Sequence, residues 1–260
     1  MTHEQDSTAH TRPSAIGAGT AGRLRDVPAW LAVCVPALVY PLLLLAIPLF
    51  PSFYDFMQRK EGGIEYLLVI LLLAGVVIGL GVFKYTDRLP RGGRWLKWFY
   101  GVALLGMFVF AGEEISWGQH LGLWGHEDVP EFIAARNDQN ETNLHNMTNA
   151  LDQGPTNLIV LGTFLAFVVL PVVRRVRGLT MRPEQADYWF WPTRVCVASA
   201  VGVLLIPFPK RIYEWTTGEV APNELRHSEL HEFYVGLLMT TYIISILIRL
   251  RQMPEPDDAD

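Results

Sequence analysis

Two glutamates, Glu113 and Glu114, stand side by side in an otherwise apolar run that extends from Trp98 to Trp117. At 1.5 Å per helical residue, Glu113 lies about 22 Å along that run. Ionisable groups at such depth in a bilayer are costly and mark a site or a pathway. Three segments of the chain carry acids and histidines in similar spacing. In the first, Glu113, Ser116 and His120 fall at i, i+3 and i+7, which places them on one stripe of a continuous helix, with Glu114 directed elsewhere. In the second, Asp138, Glu141 and His145 repeat the spacing; a solvated polar face is the competing reading for them. In the third, Glu224, His227 and His231 repeat it again, with Glu229 and Glu232 on a neighbouring face. Carboxylates and imidazoles three or four residues apart are how helical bundles hold metal ions. His120, Glu141, His145, His227 and His231 are therefore candidate metal ligands. The histidines shift the preference from Ca²⁺ or Mg²⁺ towards Zn²⁺, with Fe²⁺ or Mn²⁺ as alternatives. Glu113 or Glu114 is the candidate general base, then acid. Glu65 reads as a boundary residue of its apolar run.

The elements that position these residues follow from composition. Half of the 260 residues are hydrophobic, and six apolar runs approach or reach membrane-spanning length: 29–50, 64–83, 96–117, 155–173, 188–208 and 230–248. None shows the period-2 alternation of a barrel strand, so the expected fold is all-α, a polytopic membrane helical bundle. Residues 1–28 read as a disordered tail, 29–250 as the membrane domain and 251–260 as a second, acidic tail. Arg and Lys divide unevenly between alternating connections. Fourteen, among them Arg88, Arg91, Arg174, Arg175 and Arg249, fall on one side; six, among them Arg59, Lys60, Arg136 and Arg226, fall on the other. The positive-inside bias puts both termini in the cytoplasm and all three acid–histidine clusters outside. The net charge of −5 hides this asymmetry. Basic loops of this kind set topology and touch anionic lipid, and need no nucleic-acid partner. Cys34 and Cys196 both fall within spans, which excludes a disulfide framework. Residues 138–152 read as a short amphipathic helix in the outer loop, and Gly154-Pro155 as a break before the fourth span.

The strings Gly112-Glu-Glu-Ile-Ser-Trp-Gly-Gln119 and Glu141-Thr-Asn-Leu-His-Asn146 resemble a signature of uncharacterised bacterial integral membrane proteins. That resemblance implies a multi-pass protein of the bacterial cytoplasmic membrane and carries no activity with it. Ser116-x3-His120 and His227-x3-His231 are also similar to the pattern of the alkaline ceramidase superfamily of membrane hydrolases. The second resemblance implies that His120, His227 and His231 ligate a zinc ion and that Ser116 stabilises a developing oxyanion. Those enzymes have seven spans and an intramembrane Asp; this sequence has six apolar runs and no Asp in the expected place.

The expected function is a metal-dependent membrane enzyme at the extracytoplasmic face, hydrolysing a lipid or lipid-linked substrate with water activated by the metal. A di-iron oxidase is an alternative, weakened because Glu224-x-x-His227 is a lone half-motif. An ion- or proton-coupled transporter is another, and it needs ionisable groups through the depth of the spans, whose middles hold almost none. A non-enzymatic accessory protein would use the acidic outer surface for docking.

Overall fold

The protein is described here from a computed structural model, which covers residues 24–58, 62–125, 128–135, 141–142, 149–222 and 228–255. Among these residues there are helices and no strands. Helix α1 spans Ala29–Leu49, α2 Pro51–Gln58 and α3 Gly63–Gly79, the last continuing in 3-10 geometry through Leu80–Arg88. Helix α4 spans Leu96–Glu114 and the short α5 Glu131–Ala134. Helix α6, Asn149–Phe164, passes through a π-helical turn at Leu165–Val169 into α7, Leu170–Arg177. Helices α8 (Ala186–Phe190), α9 (Val197–Leu205), α10 (Phe208–Thr217) and α11 (Ser228–Leu250) complete the chain. Five of the resulting rods are long and apolar enough to cross a membrane: Gly63–Arg88, Arg91–Glu114, Gly154–Arg177, Ala186–Thr217 and Ser228–Leu250. Large apolar side chains such as Ile70, Val77, Val102 and Leu158 stay exposed along them, as lipid contact requires.

Helix α11 is the axis of the bundle. It packs on α3 and α9, while α4 lies against α3 and α1 against α9. Lipid tails are as apolar as leucine, so membrane helices associate through close packing rather than through expulsion of water. Gly75 and Gly79, one turn apart on α3, provide that closeness. A Cβ at Gly75 would lie 2.6 Å from Met107 Cε and 2.7 Å from Thr240 Oγ1, and one at Gly79 would lie 2.6 Å from Ile243 Cγ2. Gly202 on α9 takes the ring of Tyr234 in the same way. Leu68, Leu72, Leu104, Met107, Ile243 and Ile246 fill the α3–α4–α11 seam.

The structure departs from the sequence expectation at three points. The run expected as one span to residue 117 ends its α-helix at Glu114, because Ser116 and Trp117 both take left-handed backbone (φ 45° and 54°). The break expected at Gly154-Pro155 does not occur, and α6 runs through it from Asn149. Pro155 removes one helical hydrogen bond, which is tolerated where the bilayer penalises any other backbone arrangement more heavily. The fifth run is interrupted at Trp191–Thr193, where Pro192 forces the preceding residue into extended backbone (Trp191 ψ 140°). The segment before α1 is tied to the segment after α11: Gln252 Oε1 accepts from Arg25 N at 2.7 Å and Gln252 Nε2 donates to Arg25 O at 2.8 Å.

Candidate functional site

Three helices end or begin at the same end of the bundle, and each presents a glutamate there. Glu65 lies in the first turn of α3, Glu114 in the last turn of α4 and Glu229 in the first turn of α11. One carboxylate oxygen from each lies within 4.8 Å of the other two. Glu232, one turn along α11 from Glu229, and Glu113 also act electrostatically on Glu114. The antiparallel course of α3 and α4 makes this possible: a residue near the start of one falls beside a residue near the end of the next. When ionised, carboxylates this close repel one another, and a cation between them turns that repulsion into attraction.

The turn that closes α4 builds the second part of the site. Ile115 leaves helical geometry (φ −95°, ψ 16°), Ser116 and Trp117 are left-handed, and Gly118 takes φ 107°. Left-handed backbone costs about 1–2 kcal/mol at a residue with a Cβ, and such outliers gather at functional sites. The turn folds the segment Ser116–Leu121 back across the helix end and buries Ser116, Gly118 and Gln119. Ser116 Oγ lies 3.0 Å from His120 Nε2. His120 Nδ1 lies 3.2 Å from Glu65 Oε1, and Nε2 lies 3.7 Å from Glu141 Oε1. Ser116 Oγ–H also faces Glu141 Oε2 at 3.4 Å. Thr142 fastens this unit, donating its N–H to Gln119 Oε1 at 2.9 Å and its hydroxyl to Ser116 O. His120 thus joins the two parts, with one nitrogen on a member of the carboxylate trio and the other on a serine hydroxyl.

The residues singled out from sequence have separate fates. Ser116, His120 and Glu141 come together, through a tight turn rather than along a helical stripe. The expected division of the glutamate pair reverses. Glu114 joins the cluster, whereas Glu113 accepts a 2.5 Å hydrogen bond from Trp117 Nε1. His231 turns towards α9, its Nε2 3.1 Å from Val203 O, a carbonyl in the last turn of that helix. It stands about 200° around α11 from Glu229, so the two cannot face one centre. His145 and His227, with Asp138 and Glu224, lie outside the described residues.

Glu65 and Glu229 are the members that spacing did not reveal. A single acid on an apolar helix has no partner at i+3 or i+4, and the partners of Glu65 come from other helices. The signal available in the sequence was its position: an acid at the end of an apolar run, at the same end of the bundle as Glu114.

Comparison with known proteins adds no constraint, since no family model, curated protein or solved structure matches the chain.

Proposed function

We propose that this chain is a metal-dependent membrane hydrolase acting on a lipid or lipid-linked ester or amide at the outer leaflet. The observation that carries the reading is the convergence of Glu65, Glu114 and Glu229 from three helices, with His120 bonded to the first of them. The finer topology belongs to the same reading. With α1 as a sixth span, both termini are cytoplasmic and the carboxylates are extracytoplasmic, in agreement with the distribution of Arg and Lys.

Glu65, Glu114 and Glu229 would hold the ion. This donor set is harder than the histidine set expected from spacing, and it moves the preference from Zn²⁺ towards Mn²⁺ or Mg²⁺. A divalent ion held there would lower the pKa of bound water and polarise a substrate oxygen. The chain supplies the remainder. Glu65 positions the His120 ring from Nδ1, as outer partners orient groups around metal sites. His120 Nε2, beside Ser116 Oγ and Glu141, is placed to hold and pass a proton. Glu113, held by the Trp117 indole, fixes the turn that carries Ser116.

A second reading has its own observation. Ser116 Oγ to His120 Nε2 at 3.0 Å, and His120 Nδ1 to Glu65 at 3.2 Å, is the order nucleophile, base, orienter. Ser116 is fully buried, which favours a positioning role over direct attack. Two measurements on purified protein separate the readings. Stoichiometric divalent metal that is lost in Glu114→Gln supports the first. Metal-free protein that hydrolyses lipid and labels at Ser116 with a fluorophosphonate overturns the first and establishes the second.

A further inference from the structure

The opposite end of the bundle holds a half-open cavity with a different chemistry. A cavity of about 790 Å³ opens between the π turn and α7 on one side and the Trp191–Val197 stretch on the other. Phe167, Pro171 and Val195 line it with apolar surface, while Arg174, Arg194 and Arg249 line it with positive charge. Volume and lining suit a ligand that has an apolar body and an anionic head.

The arginines carry the argument further than charge alone. Arg249 is 1% exposed, and most of its guanidinium is accounted for. Its Nε donates to Ser245 O at 3.3 Å and its Nη1 to Tyr188 O at 3.2 Å, and the ring faces of Tyr188 and Trp189 lie 5.1 and 5.3 Å away. Its Nη2, however, is buried without a hydrogen-bond partner among the described residues. Arg174 Nη2 is in the same condition on the other wall. Buried donors without an acceptor are rare, because each costs about 1–3 kcal/mol. The acids on hand leave both unsatisfied: Asp26 stands 4.0 Å from Arg249 Nε and accepts from Thr193 Oγ1, and Asp187 acts on Arg174 only through its field. Three arginines against these two acids leave the surroundings positive.

We propose that this cavity binds the phosphate group of an anionic phospholipid, with Arg174 and Arg249 donating from opposite walls and the acyl chains leaving along α6–α7. Arginine's planar fork matches phosphate oxygens, and pockets of this kind between membrane helices take anionic headgroups. The π turn supports the assignment, because it contributes Phe167 and Ala166 to the wall and such turns concentrate at functional sites. The proposal is independent of the carboxylate cluster and of any reaction there.

Native mass spectrometry of the full chain in detergent tests it, with dioleoyl phosphatidylglycerol, dioleoylglycerol and inorganic phosphate as probes. Phosphatidylglycerol is expected to bind at least about tenfold more tightly than dioleoylglycerol, which lacks only the phosphate-bearing head. Arg174→Gln should remove that difference and Arg174→Lys should restore part of it, with unchanged melting temperature showing that both variants fold. Equal retention of the two lipids, or a preference that survives Arg174→Gln, overturns the proposal. Inorganic phosphate that binds alone, with no competition from phosphatidylglycerol, overturns the lipid as the source of the phosphate.

Discussion

The two ends of the bundle handle buried charge in opposite ways. At one end Glu65, Glu114 and Glu229 bring like charges together from three helices. At the other, Arg249 is surrounded by what a cation needs: two backbone carbonyls, the Asp26 carboxylate and two aromatic faces. Tyr100 and Tyr242 reinforce that end by donating to the carbonyls of Trp189 at 2.9 Å and Phe190 at 2.8 Å. A fold gains nothing from crowding carboxylates, whereas it gains order from pairing a guanidinium with carbonyls. The difference separates an end that crowds acids against one another from an end that seats most of a guanidinium on carbonyls, a carboxylate and rings, with Nη2 left over.

Substitutions can break this contrast. The largest effect is expected at Glu114, where Gln should lower hydrolysis by about a thousandfold, within the range for a lost acid–base or ligand group. The same change should leave the melting temperature of metal-free protein equal or raised, because it removes one like charge. A lowered melting temperature would make the carboxylate end structural and dissolve the contrast. Next comes Arg249→Ala, expected to destabilise by about 3 kcal/mol, since removing one partner leaves Asp26 and two carbonyls uncompensated. Thermal or denaturant unfolding in detergent reads it, and a loss of activity without a loss of stability would contradict the assignment. Tyr242→Phe should cost about 1 kcal/mol by the same measurement, the worth of one hydrogen bond. The smallest effect is expected for His231→Gln, which should leave metal content unchanged; loss of metal would return this side chain to the ligand set. Across these variants, metal occupancy should rise with pH and fall as it drops, because carboxylate ligands bind only when deprotonated. Elemental analysis after equilibration over a pH series checks the sign.

Much of this was legible in the chain. The helical class and the multi-pass character follow from apolar runs without alternation. What escaped was geometry that helical periodicity cannot encode. Spacing assigned Glu113 to the Ser116–His120 group because it extends the helix through residue 120. The left-handed turn at Ser116–Trp117 ended that helix and exchanged the roles of the two glutamates. Gly118 and Gly122, both at positive φ, were the available hint of a turn. His231 shows the converse: its spacing from His227 is correct for a metal pair, while its Nε2 lies 3.1 Å from the last-turn carbonyl of Val203 on a neighbouring helix. Glu65 shows the limit most directly. Its meaning lies wholly in contacts between helices, and no short window along the sequence contains Glu65 together with any of these partners.

The central position of α11 has a consequence for biosynthesis. This helix is the most enclosed of the five long apolar rods, yet it follows the other four in the chain. During translation the earlier helices enter the bilayer first, and the slot between α3 and α9 stays open until α11 arrives. Glu229 travels with it. The carboxylate trio therefore cannot exist in a nascent chain that lacks α11, and it comes together only as the bundle closes.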